Sequence, residues 1–387
     1  MVVKMTMSRR LGVKGERGTL ASPRMFKVVP IEGKGHGCVA LRSIRMGERI
    51  LADRPLVVQG GTAPPLQDAL AALTAEQLEM FWTLTQNESR FGPVKNEGGI
   101  FATNAIPFST RVATRMCAVF PVASRFNHAC SANATYKWNE SLGSLTIHAC
   151  KAVQPGEEIC VNYGFPAGCV LREQRQRRLL STFGFLCTCA KCSLTGLALD
   201  ASERRLAEIG DEHALPKILN MLGQTENLAR TSAPAVLRQL DRKLELIDEE
   251  SQGGGHYQGL ECFLQAFVEF CEAASARLTQ VVARCPSGSH ESTDSASSKP
   301  QPMVTFGKAG PDQVQVALDE LKSRARVYSE AACAYARRAR DLTRDIQGED
   351  CDAFRVWTST IANHGVVGAP FFHERWIRAG LSPEVEV

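Results

Sequence analysis

The sequence has no run of 18 or more apolar residues and no apolar stretch of signal-peptide type near its start, so neither a spanning helix nor a secretory signal is expected. A dominant charge is also missing. Lys and Arg number 45 against 41 Asp and Glu, and the resulting +4 is too small and too dispersed for a dedicated nucleic-acid face. No G-x-G-x-x-G opens a helix, which removes a dinucleotide fingerprint, and no clean 34-residue repeat marks a regular helical array. The 14 cysteines do not form the even framework of a small secreted domain. Reduced thiols are therefore the default, and any cluster of them points to a metal. The first 24 residues hold a single acid, Glu16, and read as a disordered lead-in at 1–24, with an organelle transit peptide as the other option.

What is present is organised in two styles. At 387 residues the chain exceeds what one core usually serves. From Met25 to Val58 short apolar stretches alternate with glycine-rich punctuation, as in short strands joined by tight turns. Leu66, Leu70, Leu73, Leu78 and Phe81 then recur at helical spacing, which predicts a helical insertion at about 62–100. Strand signals return at 145–149 and 158–163, separated by Gln154-Pro155-Gly156, a turn with proline at its first corner. Arg172 to Leu180 predicts a short exposed helix. After about residue 200 the period is helical. One stripe runs through Val236, Leu240, Leu244 and Ile247, the next through Leu260, Phe263, Phe267, Cys271 and Leu278, and a long last one starts near Asp312. Residues 285–311, rich in Ser, Pro and Gly, read as a disordered loop between helices.

Four features carry chemistry. Gly33-Lys34-Gly35-His36-Gly37 precedes a strand; glycines at this density let backbone approach a ligand, although a plain hairpin turn explains them too. Asn127-His128-Ala129-Cys130, with Asn133 close behind, crowds hydrogen-bonding and ligand side chains into seven positions. Its amides suit recognition of an amino acid's ammonium or carboxylate, and the alternative is a capped turn with a buried histidine. Glu158-Ile159-Cys160-Val161-Asn162-Tyr163-Gly164 reads as a strand ending in a tyrosine that either packs or orients a reacting amine. Cys187, Cys189 and Cys192 form C-x-C-x-x-C behind Phe183 and Phe185. Tetrahedral zinc takes four ligands, this loop supplies three, and we take Cys130 as the fourth.

In this order the four features resemble the SET-domain lysine methyltransferases, over roughly residues 25 to 193, and within them the SET-and-MYND-like group with its fungal relatives. The resemblance implies an α+β fold. A β-rich SET domain at 25–185 would hold the insertion, a zinc-bound post-SET module would follow at 186–195, and an all-helical C-terminal domain would occupy 200–387. It implies S-adenosylmethionine as cofactor, with Lys34, Gly35, His36 and Gly37 against its methionine part, Asn127 and His128 at its amino-acid and adenine ends, and Phe185 stacked on adenine. Tyr163 would contact the cofactor and act as the catalytic tyrosine. Phe183 would wall the substrate channel, and Val161 would leave room there for di- or trimethylation. Three departures stand out. No cysteine occurs between Ala52 and Phe101, where that group inserts its MYND finger, Ala132 replaces the usual proline, and Phe183 replaces the usual tyrosine.

The implied reaction is methyl transfer to the side-chain amine of a protein lysine, histone or non-histone. Zinc is implied as a structural ion. A small-molecule amine as substrate, or a non-catalytic scaffold that binds partners, are the competing readings. The expected partner is a protein presenting a lysine, with no membrane and no dedicated nucleic acid, and the chain is expected as a monomer in the nucleus and/or cytoplasm.

Overall fold

The computed structural model describes residues 25–61, 63–108, 116–163, 171–209, 232–251, 260–284 and 311–364. The lead-in expected at 1–24 lies outside them. Of the loop expected at 285–311 only Pro311 is described, and it begins a helix.

Among the described residues the first part is built from short strands in three small sheets. β1 (Phe26–Ile31), β2 (Gly35–Ala40), β10 (Glu158–Val161) and β7 (Asn127–His128) lie side by side in the order β1-β2-β10-β7. The β7–β10 pair is parallel, with Cys160 opposite Asn127 and Val161 opposite His128, and the other two pairs are antiparallel. A second sheet runs β3-β9-β8, from β3 (Arg49–Asp53), β9 (Ser144–Ala149) and β8 (Ala134–Asn139). A third runs β4-β6-β5, from β4 (Val57–Gln59), β6 (Met116–Val119) and β5 (Ile106–Phe108). Cys38, Ile44, Phe120, Phe126, Ile147 and Ile159 are buried in their common core.

The helical insertion consists of α1 (Leu66–Ala71), α2 (Ala75–Trp82), α3 (Glu88–Phe91) and α4 (Glu97–Asn104). A capping box starts α2. The Gln77 N–H donates to Thr74 Oγ1 at 3.2 Å while the Thr74 N–H donates to Gln77 Oε1 at 2.9 Å. Leu70, Phe81, Leu84 and Ile100 form its separate core with Val57 and Val119.

The predicted short helix is longer than expected. α5 spans Arg172–Phe183, and it is not wholly exposed, because Arg175 and Leu179 are buried. It stops where Gly184 takes the left-handed conformation at φ 82°, its N–H closing on the carbonyls of Leu179 and Leu180. Helices follow from there: α6 (Gly196–Ile209), α7 (Ala233–Glu250), α8 (Leu260–Arg284), α9 (Pro311–Gln347) and α10 (Asp352–Ala362). α8 and α9 run antiparallel, since Glu261 meets Gln347, Phe267 meets Tyr335 and Ser275 meets the Ala325 carbonyl. Buried Ala332, Ala336 and Ala339 let α9 approach closely, and Phe263, Phe267, Tyr328 and Trp357 fill the helical core. Each of the two phenylalanines contributes about 1.5–3 kcal/mol by leaving water.

The helices also explain the central strand β9. All six of its residues are buried, including Thr146 and His148, which face away from the apolar set of Leu145 and Ile147. α9 packs across β8 and β9, so both faces of the sheet are covered. Charged pairs tie the same sheet to the helical region beside it. Arg49 Nη2 meets Asp350 Oδ1 at 2.6 Å and Lys137 Nζ meets Glu261 Oε2 at 3.4 Å. No helix among the described residues is long and apolar enough to cross a membrane.

Candidate functional site

The glycine-rich segment is a hairpin turn in its backbone. Ile31 pairs with Gly35, the Lys34 N–H closes on the Ile31 carbonyl at 3.1 Å, and Gly33 and Gly35 take φ of 71° and 72°. Lys34, Gly35 and His36 are exposed, whereas Gly37 is buried. Gly37 has a different reason to be glycine. A Cβ there would lie 2.6 Å from Asn127 Nδ2 and 2.9 Å from Glu158 Oε1, so the missing side chain makes space for two polar groups.

Those groups hold one another. Glu158, the first residue of β10, accepts from Asn127 Nδ2 at 2.8 Å on one oxygen and from Lys34 Nζ at 2.6 Å on the other. Because the Asn127 amide nitrogen is committed to the carboxylate, its carbonyl oxygen is the end left to accept from a ligand. Glu158 opens the third feature of the sequence, where it was given no role of its own. The signal that could have found it is its position one strand across from both glycines and Asn127, which depends on register.

Asn133 has a structural task. Its amide donates to Glu157 Oε1 at 3.0 Å and to the Glu158 carbonyl at 2.9 Å, and it accepts the Cys160 N–H at 2.8 Å. It thereby stitches the segment after Cys130 to β10.

Tyr163 lies just beyond β10, which ends at Val161 and not at the tyrosine. Its N–H donates to His128 Nδ1 at 3.1 Å and its hydroxyl donates to the Phe126 carbonyl at 2.9 Å. Burial, followed by the nearby Cys160 thiol, pushes that hydroxyl above its ordinary range, so it stays neutral. Three rings surround it: Phe183 at 4.8 Å, His128 at 5.3 Å and Phe185 at 6.4 Å between centroids. Val161 is 3% exposed and packs in the sheet core against which Tyr163 rests. Gly164 lies outside the described residues.

The aromatic wall is held from the insertion. Asn87, the cap of α3, donates from Nδ2 to the Thr182 carbonyl at 3.0 Å. A Cβ on Gly184 would lie 2.6 Å from Asn87 Oδ1, so Phe183-Gly184-Phe185 can sit here only with glycine in its middle.

The sulfur atoms of Cys130, Cys187, Cys189 and Cys192 lie within 4.8 Å of one another, and all four thiols are free of disulfides. Cys130 Sγ is 3.9 Å from that of Cys187 and 3.5 Å from that of Cys192. A tetrahedron with zinc–sulfur bonds of about 2.3 Å has edges of about 3.8 Å, so the donor set and spacing fit one zinc ion. Outside the cluster, burial pushes the Cys160 and Cys351 thiols up to about 12, as befits inert core cysteines. The surroundings favour negative sulfur. Buried Arg175 places Nη2 3.8 Å from Cys192 Sγ, and the Cys130 N–H points to Cys189 Sγ at 3.4 Å.

His128 joins the two parts. Its Nδ1 accepts from the Tyr163 N–H, so in the neutral ring the proton sits on Nε2, which faces Cys130 Sγ at 3.3 Å. Burial, above all other causes, lowers its pKa to about 4, which keeps the ring neutral.

Segments far apart in sequence thus meet around Tyr163 and around Glu158, and the comparison with known families covers most of them. The SET domain model matches residues 35–164. The chain carries a SET domain. Among curated proteins, the histone-lysine N-methyltransferase set5 of Schizosaccharomyces pombe is 34% identical over 191 residues, 48% of this chain and 54% of set5. The protein-lysine N-trimethyltransferase SMYD5 of Homo sapiens is 35% identical over 78 residues, 19% of this chain and 18% of SMYD5. The histone-lysine N-methyltransferase ASHR1 of Arabidopsis thaliana is 33% identical over 90 residues, 23% of this chain and 18% of ASHR1. The chain therefore spans about half the length of set5 and less of the other two. A solved structure, the SET domain of LSMT bound to lysine and AdoHcy, aligns at 11% identity over 90% of this chain and 93% of its own, with a TM-score of 0.28.

Proposed function

We propose that this protein is an S-adenosylmethionine-dependent N-methyltransferase whose substrate is the side-chain amine of a protein lysine, histone or non-histone. The observation that carries it is the enclosure of Tyr163 by Phe183, Phe185 and His128 beside the polar group of Lys34, Asn127 and Glu158. One end of this arrangement is aromatic and suits adenine and an apolar lysine stem. The other carries a cation, a carboxylate and an amide, which suit the ammonium and carboxylate of the cofactor's amino-acid part.

When bound, S-adenosylmethionine supplies a methyl group activated by its sulfonium. The chain's own residues position the amine for in-line displacement, and no covalent enzyme intermediate is required. A lysine with pKa about 10.4 must lose its proton to attack, which near pH 7.4 costs about 4 kcal/mol in water. Apolar walls such as Phe183 reduce that cost by disfavouring the charged form. The Tyr163 hydroxyl, neutral and donating to Phe126, keeps its oxygen lone pairs available to accept from the amine N–H, turning the nitrogen lone pair toward the methyl. Phe183 adds no hydroxyl of its own. Asn127 and Glu158 would hold the ammonium of the amino-acid part and Lys34 its carboxylate.

The cysteine cluster is proposed as a structural zinc site of a post-SET module at 186–195, closing the pocket next to Phe185. Phe183 and Phe185 pack on the cysteines themselves, so loss of the ion would loosen the aromatic wall. The protein acts as a monomer of the nucleus and/or cytoplasm in this reading. Titration calorimetry with S-adenosylmethionine, alongside zinc analysis, tests it. One cofactor site and one zinc per chain are expected. A folded chain that binds no cofactor would rule the reading out.

A further inference from the structure

The cysteine loop is tied to the helical region by a buried ion pair. Lys191, inside C-x-C-x-x-C between Cys189 and Cys192, reaches Glu250 Oε1 with Nζ at 2.9 Å. The two side chains are 6% and 2% exposed. Glu250 is the last residue of α7, and its carboxylate gathers two further donors from α6: Ser202 through its hydroxyl, and Arg205 through Nε at 2.9 Å. Burial alone would push the Glu250 carboxyl up, but Lys191, Ser202 and Arg205 together hold it below the usual carboxylate range. A lysine of a small metal loop and a glutamate at a helix end have no local reason to be buried. Lys191 is paired with Glu250, and Glu250 with Lys191, Ser202 and Arg205, so their burial is offset and the group ties the loop to α6 and α7.

The opposite side of the loop is held by α5. Arg172 Nη1 donates to the Leu194 carbonyl at 2.9 Å and Gln176 Nε2 to the Cys187 carbonyl at 3.2 Å. α5 ends in Phe183, so its contacts carry the aromatic wall and the loop together. The Lys191–Glu250 pair is what fastens both to α7.

We propose that Lys191 and Glu250 are positioning residues, and that α6 and α7 serve the methyl-transfer site by clamping the cysteine loop against it. This rests on the reading of residues 186–195 as a module that closes the cofactor pocket. It assigns the helical region a task inside the SET site in addition to any partner it binds.

The test compares Lys191→Met with Arg205→Met in the full chain. Both remove one cation from the same carboxylate, but only the first cuts the link to the loop. Hydrogen exchange of peptides covering 186–195 is the primary readout, and zinc release to a chromogenic chelator is the second. Lys191→Met is expected to speed exchange in 186–195 at least tenfold, leave peptides of α8 and α9 unchanged and release zinc at least tenfold faster. Arg205→Met should stay within about twofold on both counts, and Lys191→Arg should restore most of the protection. Equal effects of the two methionine variants, or no change in 186–195 with Lys191→Met, would overturn the clamp. If Lys191→Met does not fold, Glu250→Gln, which keeps hydrogen-bonding capacity, is measured in its place with the same expectation. An unsubstituted chain without zinc would remove the metal reading, while the exchange comparison would still decide the clamp.

Discussion

His128 Nδ1 accepts the backbone N–H of Tyr163 at 3.1 Å, and the same ring turns its other nitrogen to Cys130 Sγ at 3.3 Å. The catalytic candidate and the metal candidate are therefore linked through one imidazole. Outer groups that orient metal ligands typically govern affinity by 10–100-fold. His128→Ala is expected to weaken zinc binding by about that factor, and to weaken cofactor binding as well. Competition with a zinc chelator measures the first effect and calorimetry the second. Zinc affinity unchanged in His128→Ala would refute the link.

Arg175 offers a separate reading of the cluster's charge. Four thiolates around a divalent ion leave excess negative charge, and this buried guanidinium lies 3.8 Å from Cys192 Sγ. Arg175→Met is expected to lower zinc affinity about tenfold or more. Arg178→Met, at an exposed position of the same helix, should leave it unchanged.

Two glycines with positive φ separate backbone strain from crowding. Gly143, at φ 56°, has nothing within 4 Å of a built Cβ, whereas Gly184, at φ 82°, would place one 2.6 Å from Asn87 Oδ1. Gly143→Ala is expected to cost about 1 kcal/mol in urea unfolding. Gly184→Ala should cost more, and it should reduce methyl transfer because the Phe183–Phe185 wall moves with it. Equal stabilities would contradict the tight fit at Asn87.

His148 sets a pH dependence of stability. Burial first, then the neighbouring Arg49 guanidinium, lower its pKa to about 4, while the Asp350 carboxylate acts the other way. The unfolded chain binds this proton near pH 6.5, and the folded chain only near pH 4. The contribution is therefore complete above pH 6.5 and is lost as pH falls toward 4, by about 3 kcal/mol in all. Urea midpoints at pH 7.5, 5.5 and 4.5 should fall in that order, and His148→Gln should flatten the slope. A slope unaffected by His148→Gln would exclude this histidine as its source.

The local motifs were legible because their chemistry is local. C-x-C-x-x-C puts three thiols within one loop, and the Cys130 thiol lies beside them in space. The strands around Val39 and Ile159 and the helical stripes of α7 to α9 followed from apolar spacing. What was not legible depends on pairs far apart in the chain. Arg49 and Asp350 are separated by 301 positions, and Asn87 and Thr182 by 95. Neither pair leaves a periodic trace. Arg175 reads as a solvated charge on a polar helix, and only the fold turns it toward sulfur. Glu158 looked like one more polar strand residue until register set it between Lys34 and Asn127.

The central claim is methyl transfer, and the Tyr163 hydroxyl is the atom it depends on most. The deciding measurement incubates the full chain and its Tyr163→Phe variant with methyl-labelled S-adenosylmethionine and a protein extract, then counts label on protein lysines. The account predicts labelled protein with the unsubstituted chain, and a loss of about 10²-fold in Tyr163→Phe with cofactor binding retained. An unsubstituted chain that binds the cofactor yet labels no protein would contradict it.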